Sequence, residues 1–546
     1  MNTSLIDSQQ AKTSQNQSVL VDCIADLRLV DPSIFNVVQT TGYYPGSVLG
    51  GGLYRYNSSD SASAENGGTK IVGLNGSRWD LIYSGSTHLY QWGVIGNKIF
   101  DDTSAVNAAL AWASELTASV IVPSCVGIRL TSTIEVSGSP RLLGEHIQIS
   151  KTVGGNVNSP GAGSWFFIDH TGVGFRFNKD GVVVKRPWIE LIGTYRTQPD
   201  PGAQAYTPTA HDYDYVFYNC DSVVRNIVIW NSTKGIYITA DASNSQSRGD
   251  ISGVYGCPVQ LGIVVDFLAD VLRVDNVHFW PYWTSNANFA AYQRSNAVGM
   301  SFYRCDNPMI TRYFTYGYRL SIYMGSNSKG VTSKLKMQVF DFDFIGQSGV
   351  LIDGSGISCA LSGGSGQGHS AKTANNFLEV TSGSSGCNVS VDNIDVGLFK
   401  QNVLRCGGAA NSVMRVGDNV RLYQWNGSGV GFPAIGCTEN NFVELSTMPY
   451  FTAPLNEGTP LDTAGNIKGR IELPRRTYNT DANGRTVLQS GMGRAPSSIV
   501  ATAIDDSVAY SIQQTSIANV VLASTVSSGA ALVNSKIVIA ATLGFS

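Results

Sequence analysis

Two aspartates separated by a single residue could act together as an acid and a base. They lie in the run Phe340-Asp341-Phe342-Asp343-Phe344. If the phenylalanines of an extended strand point into a core, both carboxylates project from the opposite face, about 6.6 Å apart. No packing need calls for two like charges so close, and their repulsion should raise the pKa of one of them. The pair is the leading catalytic candidate, and a solvated strand face is the alternative.

Other carboxylates lie on similar extended runs and could supply a partner group. We retain Asp306, which follows Tyr303-Arg304-Cys305, and Asp353, which ends Val350-Leu351-Ile352-Asp353. Further acids on such runs are Asp275, Asp392, Asp395, Glu379 and Asp266. Asp392 borders an Asn turn, which favours a structural role. A site shared between subunits would join residues that no spacing reveals.

Aromatic and basic side chains cluster ahead of the aspartate pair. The run His278-Phe279-Trp280-Pro281-Tyr282-Trp283 ends an extended stretch, and its proline and adjoining rings favour an exposed loop. A second group follows it: Tyr303, Arg312, Tyr313, Tyr316, Tyr318 and Arg319. The residues predicted to bind substrate are Trp280, Tyr282, Trp283, Tyr303, Arg312, Tyr316 and Tyr318. Some of these rings could instead cover contacts between subunits.

Several chemistries find no motif in the sequence. It has no GxxxxGK[ST], HExxH or GxSxG string and no clustered His/Cys set, so we expect neither a cofactor nor a metal. A net charge of −3 provides no field that would attract nucleic acid. No run approaches the ~20 apolar residues of a membrane helix, so we expect no membrane partner.

The elements that must position these residues are mostly short strands. The 546 residues include 59 glycines and only 14% charged residues, which is typical of strands joined by tight turns. One helix is clear: Asp101-Asp102-Thr103 precedes apolar residues at helical spacing, namely Val106, Ala109, Leu110, Ala113 and Leu116. Either aspartate can serve as its N-cap.

Three runs of the central region resemble one another. They are Ser222 to Ile229, Val271 to Phe279 and Val389 to Val396, and in each of them apolar residues flank an Asn turn. Asn suits such a turn because it tolerates a left-handed backbone. The pattern predicts coils of a solenoid that stack to make a common core. An ordinary β-sandwich is the alternative.

The two ends differ from the centre in composition. Residues 1–20 are polar and small, which predicts a flexible segment, and they lack the features of a signal peptide. The nine cysteines are scattered singly, so we expect buried thiols rather than disulfides. The domains we predict are a flexible segment at 1–20, a neck module at 21–90, a solenoid with its helix at 91–450, a linker at 451–476 and a C-terminal β-sandwich-like domain at 477–546.

An ordered set of motifs near the N-terminus resembles a known family. The set comprises Ile24-Ala25-Asp26-Leu27-Arg28, Gly42-Tyr43-Tyr44, Gly50-Gly51-Gly52-Leu53-Tyr54, Asn66-Gly67-Gly68-Thr69, Gly76-Ser77-Arg78-Trp79-Asp80, and Trp92-Gly93 through Asp101-Asp102-Thr103-Ser104-Ala105. In this order they resemble bacteriophage tailspikes and capsule depolymerases of the pectate-lyase-like superfamily. The family's Gly-Asp-Gly turn is replaced here by Gly96-Asn97-Lys98-Ile99-Phe100, which predicts a different loop shape at this point.

The resemblance implies an all-β protein built on a right-handed parallel β-helix, with a small N-terminal β-rich module, a capping helix and a C-terminal trimerisation domain. It further implies a homotrimer of the virion tail, made in the host cytoplasm, that binds and cuts a capsular polysaccharide or O-antigen. Glycoside hydrolysis would use the paired carboxylates. A polysaccharide lyase, a non-catalytic receptor-binding spike and, with least support, an esterase are the alternatives. We expect the short N-terminal segment to dock onto another tail protein.

Overall fold

The structure of the chain is a computed structural model. It describes residues 17–147, 163–177, 186–202, 206–218, 223–239, 249–268, 271–369, 374–447, 449–452, 461–462, 466–479, 485–489, 498–503, 508–514, 519–526 and 536–545. The chain divides into two compact units, one of Met1–Val259 with Pro281–Phe289 and one of Gln260–Trp280 with Ala290–Ser546. Every helix within the described ranges is too short or too polar to span a bilayer.

The first unit begins with a small five-stranded sheet. Its strands are β1 Ser18–Val21, β2 Val37–Thr40, β3 Leu53–Tyr56, β4 Lys70–Val72 and β5 Arg78–Leu81, in the order β1-β2-β3-β5-β4. The first pair is parallel and the others are antiparallel. Its buried core contains Val38, Tyr54, Ile71, Trp79 and Leu81, together with Ile24 and Leu27 of the short helix α1 Ile24–Leu27. A small β-rich module near the N-terminus is thus confirmed.

The predicted helix is α2, Thr103–Leu116. Asp102 occupies the N-cap position, but its carboxylate accepts hydrogen bonds from the backbone N–H of Ile95 (2.8 Å) and Gly96 (3.1 Å). Asp101 instead accepts the bond from the backbone N–H of Thr103 (3.0 Å), so the two aspartates secure both the helix and the loop before it. The apolar face is buried as predicted, except that Leu116 is exposed.

Short parallel strands follow the module in the first unit. They are β6 Ser86–His88, β7 Asn97–Asp101, β8 Ser119–Val122, β9 Gly127–Leu130, β10 Ile134–Val136, β11 Arg141–Gly144, β12 Trp165–Ile168, β13 Phe175–Phe177, β14 Trp188–Glu190, β15 Gly193–Tyr195, β16 Tyr215–Tyr218, β17 Val223–Ile229, β18 Lys234–Thr239 and β19 Asp250–Gly256. The 3₁₀ helices of this unit are Leu74–Gly76, Leu89–Trp92 and Pro208–His211.

These strands form three parallel ladders. One runs β6-β8-β11-β14-β17-β19. A second runs β7-β9-β12-β15 and also joins β17. The third runs β10-β13-β16-β18. Three ladders of parallel neighbours, each strand one coil after the last, define a parallel β-helix and not the alternative β-sandwich.

The second unit repeats this arrangement with longer strands. They are β20 Leu261–Asp266, β21 Arg273–Phe279, β22 Val298–Phe302, β23 Met309–Tyr316, β24 Leu320–Asn327, β25 Gly330–Val331, β26 Leu335–Ile345, β27 Ser348–Asp353, β28 Ser358–Gly368, β29 Asn376–Val380, β30 Asn388–Gly397, β31 Leu404–Cys406, β32 Val413–Val416, β33 Arg421–Tyr423, β34 Ile435–Cys437, β35 Phe442–Leu445 and β36 Tyr450–Thr452. Helix α3 spans Ala287–Asn296.

Two parallel ladders organise the second unit. The long-strand ladder runs β21-β23-β26-β28-β30 and then divides into β32-β35 and β33-β36. The short-strand ladder runs β20-β22-β24-β27-β29-β31-β34. Each coil thus contributes one strand to the long-strand ladder and one to the short-strand ladder.

The C-terminal strands pair differently. They are β37 Asn466–Asn479, β38 Arg485–Gln489, β39 Ser498–Ala503, β40 Val508–Gln514, β41 Asn519–Val526 and β42 Lys536–Phe545. β37 continues the parallel ladder beside β35 and then pairs antiparallel with β42, which also pairs with β39. β38, β41 and β40 form an antiparallel sheet. β37 crosses the predicted boundary between residues 476 and 477, and the domain division stays a prediction.

A residue with a left-handed backbone bends each long strand, and we call it the corner. The Asn of each predicted turn occupies this position, with φ of 49° at Asn226, 53° at Asn276 and 49° at Asn393. In the intervening coils the register gives the same place to Gly253, Arg312, Val339 and Gly363, all with positive φ. The predicted Asn turns are therefore confirmed as the corners of the coils.

The described cysteines are free thiols. Seven of them are buried, and Cys125 is half-buried. The expectation of unpaired, mostly buried cysteines is confirmed for the eight that the structure describes.

Candidate functional site

A continuous outward face follows the corner in the long-strand ladder. The second residue after each corner forms one column across the coils, in which Phe314, Asp341, Ser365, Asp395 and Arg421 are successive register partners. The fourth residue forms a second column, in which Tyr316 is the partner of Asp343 and Gly397 is the partner of Gln367 and Tyr423. We call these two columns the site face. Carboxylates occupy its middle.

Asp341 and Asp343 both lie on this face, as the alternating pattern predicts. Phe340 and Phe342 are buried with exposures of 4% and 0%, while Asp341 is exposed and Asp343 is half-buried. The two residues are one side-chain repeat apart along the strand, a backbone spacing of about 6.6 Å in a regular strand. Ser365 donates a hydrogen bond to Asp341 (2.7 Å), and the side-chain amide of Gln367 donates one to Asp343.

A bulge shapes the strand at this point. The register between β26 and β28 shifts between Phe342 and Ile345, and Phe344 has a φ of 53°. Bulges bend a strand and redirect a side chain, and they are frequent beside active sites. Here the irregularity falls on Asp343 and Phe344, which explains why Phe344 is half-buried and not in the core like Phe342.

Asp343 has the environment of a proton donor. Burial, reinforced by the negative charge of Asp341, raises the pKa of Asp343, while the hydrogen bond from Gln367 opposes that rise. The protonated carboxyl is therefore favoured to a higher pH than in an ordinary aspartate.

A third carboxylate completes the middle of the site face. Asp395 forms an ion pair with Arg421 (2.8 Å), and the Arg421 guanidinium lies over the ring of Tyr423 (5.1 Å to the centroid). Burial raises the pKa of Tyr423, and the charges of Asp395, Asp341 and Asp343 add to the rise. Since all three acids act on one phenol, they belong to one cluster.

Aromatic rings line the other end of the site face. The rings of Tyr316 and Phe344 are 4.9 Å apart, and Phe344 contacts His369 at 5.5 Å. Trp280 packs edge-on against Tyr316 at 6.5 Å. Trp280 and Tyr316 are half-buried, so each presents part of its ring to solvent beside Asp343.

The core beneath the acids holds them in place. Phe340, Phe342 and Phe377 form a ring cluster with centroids 5.0 to 6.2 Å apart. The next coil leaves room for it with glycines. A Cβ on Gly364 would lie 2.3 Å from the Phe340 ring, and one on Gly366 would lie 2.7 Å from that of Phe377. The glycines of the Gly-Gly-Ser-Gly sequence on β28 therefore leave the space that the phenylalanine rings beneath the Phe-Asp-Phe-Asp run occupy.

Three of the predicted substrate-binding rings are buried. Tyr282 and Trp283 are only 6% and 4% exposed, and in the first unit they pack against Trp230, Tyr206 and Phe289. Tyr318 is 1% exposed and packs on Phe279. The expectation of an exposed loop was wrong for Tyr282 and Trp283, because neighbouring rings supply an apolar surface against which the segment folds.

Other predicted site residues lie away from the aspartate pair. Asp353 and Tyr303 belong to the short-strand ladder and its turn. There the rings of Tyr303 and Tyr323 are 5.9 Å apart, and Asp353 accepts hydrogen bonds from Thr381 (2.9 Å) and Tyr323 (3.3 Å). The catalytic role of Asp353 and the substrate-binding role of Tyr303 stay predictions.

Asp306 and Arg312 are each engaged in an ion pair. Asp306 pairs with Arg304 (2.9 Å) and accepts a hydrogen bond from Ser333 (2.9 Å). Arg312 occupies a corner, where its guanidinium binds both carboxylate oxygens of Asp275. The positive charge of Arg312 is thus paired with the carboxylate of Asp275 on the preceding coil.

Several residues of the site face were not selected from the sequence: Ser365, Gln367, Arg421 and Tyr423. His369, whose ring contacts Phe344, and Arg294 of helix α3 lie beside the face and were not selected either. The sequence contains a pattern from which the residues of the site face could have been found. Once each coil is aligned on its corner, the second and fourth positions read Phe and Tyr after Arg312, Asp and Asp after Val339, Ser and Gln after Gly363, and Asp and Gly after Asn393.

Within the described residues, one group could supply three ligands to a metal ion: Asp22, Cys23 and Asp26. It belongs to the N-terminal module, whereas the carboxylates of the site face have hydrogen-bonding and ion-pair partners of their own.

Sequence comparisons identify a phage tail domain near the N-terminus. Residues 20–84 match the family model of the phage tail protein small four-stranded beta-sheet domain. A stretch of 107 residues is 35% identical to the Mu-like prophage FluMu defective tail fiber protein of Haemophilus influenzae. That match covers 19% of this chain and 17% of the relative, so the chain spans about a sixth of the relative's length. The chain therefore contains a domain of phage tail proteins.

Similar solved structures include two phage tailspikes. The tailspike protein of Acinetobacter phage vB_ApiP_P1 aligns with a TM-score of 0.43 and 12% identity, covering 97% of this chain and 99% of that one. The tailspike of Acinetobacter baumannii bacteriophage Fri1, described as a capsular polysaccharide depolymerase, aligns with a TM-score of 0.44 and 11% identity, covering 96% and 97%. The family-model match at residues 20–84 confirms a phage tail domain where the N-terminal motifs lie.

Proposed function

We propose that this chain is a phage tailspike that binds and hydrolyses a host surface polysaccharide, either a capsule or an O-antigen. One observation carries the proposal: Asp341 and Asp343 share an outward face, and the environment of Asp343 raises its pKa above that of an ordinary aspartate. Glycoside hydrolysis requires two such carboxyl groups in different protonation states.

The environments of the two carboxyls assign their roles. Asp343 is half-buried and favours the protonated form, so it donates a proton to the leaving glycosidic oxygen. Asp341 is exposed to solvent and accepts a hydrogen bond from Ser365, so it is placed to activate a water molecule as the general base. A regular strand repeat sets the two residues about 6.6 Å apart, which suits the wider carboxyl separation of inverting enzymes, where a water molecule fits between the groups.

The aromatic end of the site face offers a binding surface for sugar rings. Trp280 and Tyr316 are half-buried next to Asp343, and aromatic faces stack on the apolar CH faces of sugars. Among the predicted binding residues, Trp280 contacts Tyr316, and Tyr316 contacts Phe344 at the Asp343 end of the site face. Trp280 and Tyr316 would hold the glycan on one side of the scissile bond.

The test uses a panel of purified capsules and O-antigens, with products identified by mass spectrometry and reducing ends counted. Asp343→Asn and Asp341→Asn should each lower cleavage by roughly 10²-fold or more, the usual contribution of a general acid or base. Asp392→Asn is the matched control, because Asp392 is an exposed aspartate on β30 before the corner. Full activity of both site variants would refute the assignment, and binding without new reducing ends would favour a receptor-binding spike.

A lyase is the second candidate, favoured by the basic and phenolic groups beside Asp343. Tyr316 lies within electrostatic reach of both Asp343 and Arg294, and Arg294 also acts on His369. A lyase removes the C5 proton of a uronic acid and expels the glycosidic oxygen, which leaves a carbon–carbon double bond. Products that absorb in the ultraviolet would identify it, and saturated products would exclude it.

The partners form part of the same proposal. We infer a homotrimer on the virion tail and attachment to another tail protein through residues 1–20, most of which lie outside the described residues. Light scattering should give three times the chain mass. Recovery of tail proteins in a pull-down should fall when residues 1–20 are removed, and equal recovery would rule out that attachment.

A further inference from the structure

We propose that Arg294 forms a subsite for an anionic substituent of the polysaccharide, a carboxylate or a phosphate, next to the sugar held at Tyr316. The inference rests on the proposed function and extends it to the chemical class of the substrate. A planar guanidinium is suited to such oxyanions because it can donate two parallel hydrogen bonds.

The last turn of helix α3 contacts the ends of the strands that form the site face. Gly346 follows Ile345, the last residue of β26, and a Cβ on it would lie 2.1 Å from the carbonyl oxygen of Arg294. Gly317 follows Tyr316, and a Cβ there would lie 3.7 Å from the side-chain oxygen of Gln293. Both strands therefore pass directly under the turn that bears Arg294.

The charge of Arg294 is partly buried and lacks a carboxylate partner among the described residues. Burial lowers the pKa of Arg294, although an arginine remains protonated at any physiological pH. Tyr316 and His369 lie within electrostatic reach of its guanidinium. Because a desolvated cation without a counter-ion is unfavourable, an incoming anion gains more here than it would in water.

The neighbouring ring of His369 does not compete for that anion. Burial and the charge of Arg294 lower the pKa of His369, so its imidazole is neutral at pH 7. The proton of a neutral imidazole can contribute a hydrogen bond, but the guanidinium supplies the charge.

Charges elsewhere on the site face direct an anionic sugar toward Arg294. The exposed carboxylate of Asp341 repels an anion in the middle of the face, and Asp395 and Arg421 are paired with each other. Tyr316 is the register partner of Asp343, and Gly317 directly after it lies under the helix turn that bears Arg294. A sugar stacked on Tyr316 would thus place a neutral linkage at the acids and its charged group at the arginine.

The test compares Arg294→Gln with the unchanged protein on the polymers that the panel shows to be cleaved. Arg415→Gln is the matched control, because Arg415 is an exposed arginine held by Glu444 (2.8 Å). We expect the cleaved polymers to be acidic and Arg294→Gln to raise KM by roughly 10- to 100-fold with little change in kcat, since a charged hydrogen bond contributes about 1.5–3 kcal/mol. Arg415→Gln should leave both parameters unchanged.

The same polymers are then neutralised chemically. Carbodiimide activation followed by borohydride reduction converts carboxylates to alcohols, and hydrofluoric acid removes phosphates. One of these treatments should abolish the difference in KM between Arg294→Gln and the unchanged protein. The treatment that does so identifies the anion as a carboxylate or a phosphate. Equal KM values for the variant and the unchanged protein, or efficient cleavage of neutral polymers alone, would overturn the subsite but leave the proposed function standing. Cleavage of no polymer would refute both.

Discussion

The side-chain amide of Gln367 donates a hydrogen bond to the carboxylate of Asp343 on the preceding coil. The bond favours the charged carboxylate, so it lowers the pKa that burial raises. The two residues are 24 positions apart in the chain, and the register of β26 and β28 brings them together. Gln367 therefore tunes the proton donor without contributing a charge.

Replacing Gln367 should shift the pH profile of cleavage. Without the donated bond, the pKa of Asp343 rises further, so Gln367→Leu should move the alkaline limb of the kcat profile to higher pH. The measurement is kcat against pH on a cleaved polymer. The control is Gln338→Leu, which removes an exposed amide before the corner of β26, the strand that bears Asp343. It should leave the pH profile unchanged. A shift to lower pH would contradict the role given to Asp343.

The raised pKa of Asp343 also predicts a cost in stability at neutral pH. A carboxyl whose folded-state pKa is raised stabilises the fold while protonated, and this contribution is lost as pH rises through the folded pKa. Asp343→Asn should therefore raise the denaturation midpoint at pH 7. The gain should vanish below about pH 4, where aspartate is protonated in both states. Chemical denaturation at several pH values measures it, and an unchanged midpoint at pH 7 would contradict the prediction.

Val339 occupies a corner with an unfavourable backbone. Its φ is 53°, and 59% of its side chain is exposed, so packing does not compensate for the strain of a β-branched residue. Val339→Asn should stabilise the protein by about 1 kcal/mol, since asparagine tolerates this conformation. The reciprocal change Asn393→Val should destabilise it by a similar amount. Equilibrium unfolding of both variants gives the comparison, and opposite signs would refute the assignment of strain.

The glycines of β28 should not accept a side chain. In Gly366→Ala the new methyl would lie 2.7 Å from the Phe377 ring and would displace the cluster that supports Asp341. Overpacking of this kind costs typically 1–3 kcal/mol. We expect lower stability and lower cleavage together. Gly383→Ala is the control, because no atom lies within 4 Å of the added Cβ. Equal behaviour of the two variants would show that the core can absorb the methyl.

Alternation and turn chemistry are local properties, so the sequence by itself determined the elements. The Phe-Asp-Phe-Asp run predicts an outward carboxylate pair, the repeated Asn turns predict the corners, and the Asp101-Asp102 signal predicts helix α2. Each depends on residues within one strand or one turn of the chain, where side-chain period and backbone preference act directly. The N-terminal motifs likewise indicate the phage tail domain.

Only the tertiary structure decided which side chains become neighbours across the coils. Asp395 and Arg421 are 26 positions apart, and Asp341 and Ser365 are 24 apart, because each coil has its own turns and insertions before the chain returns to the same face. Burial was decided in the same way. Tyr282 and Trp283 have the composition of an exposed aromatic loop, yet rings distant in sequence enclose them. Lateral stacking and ring packing depend on the folded path of the chain, and no spacing in the sequence records it.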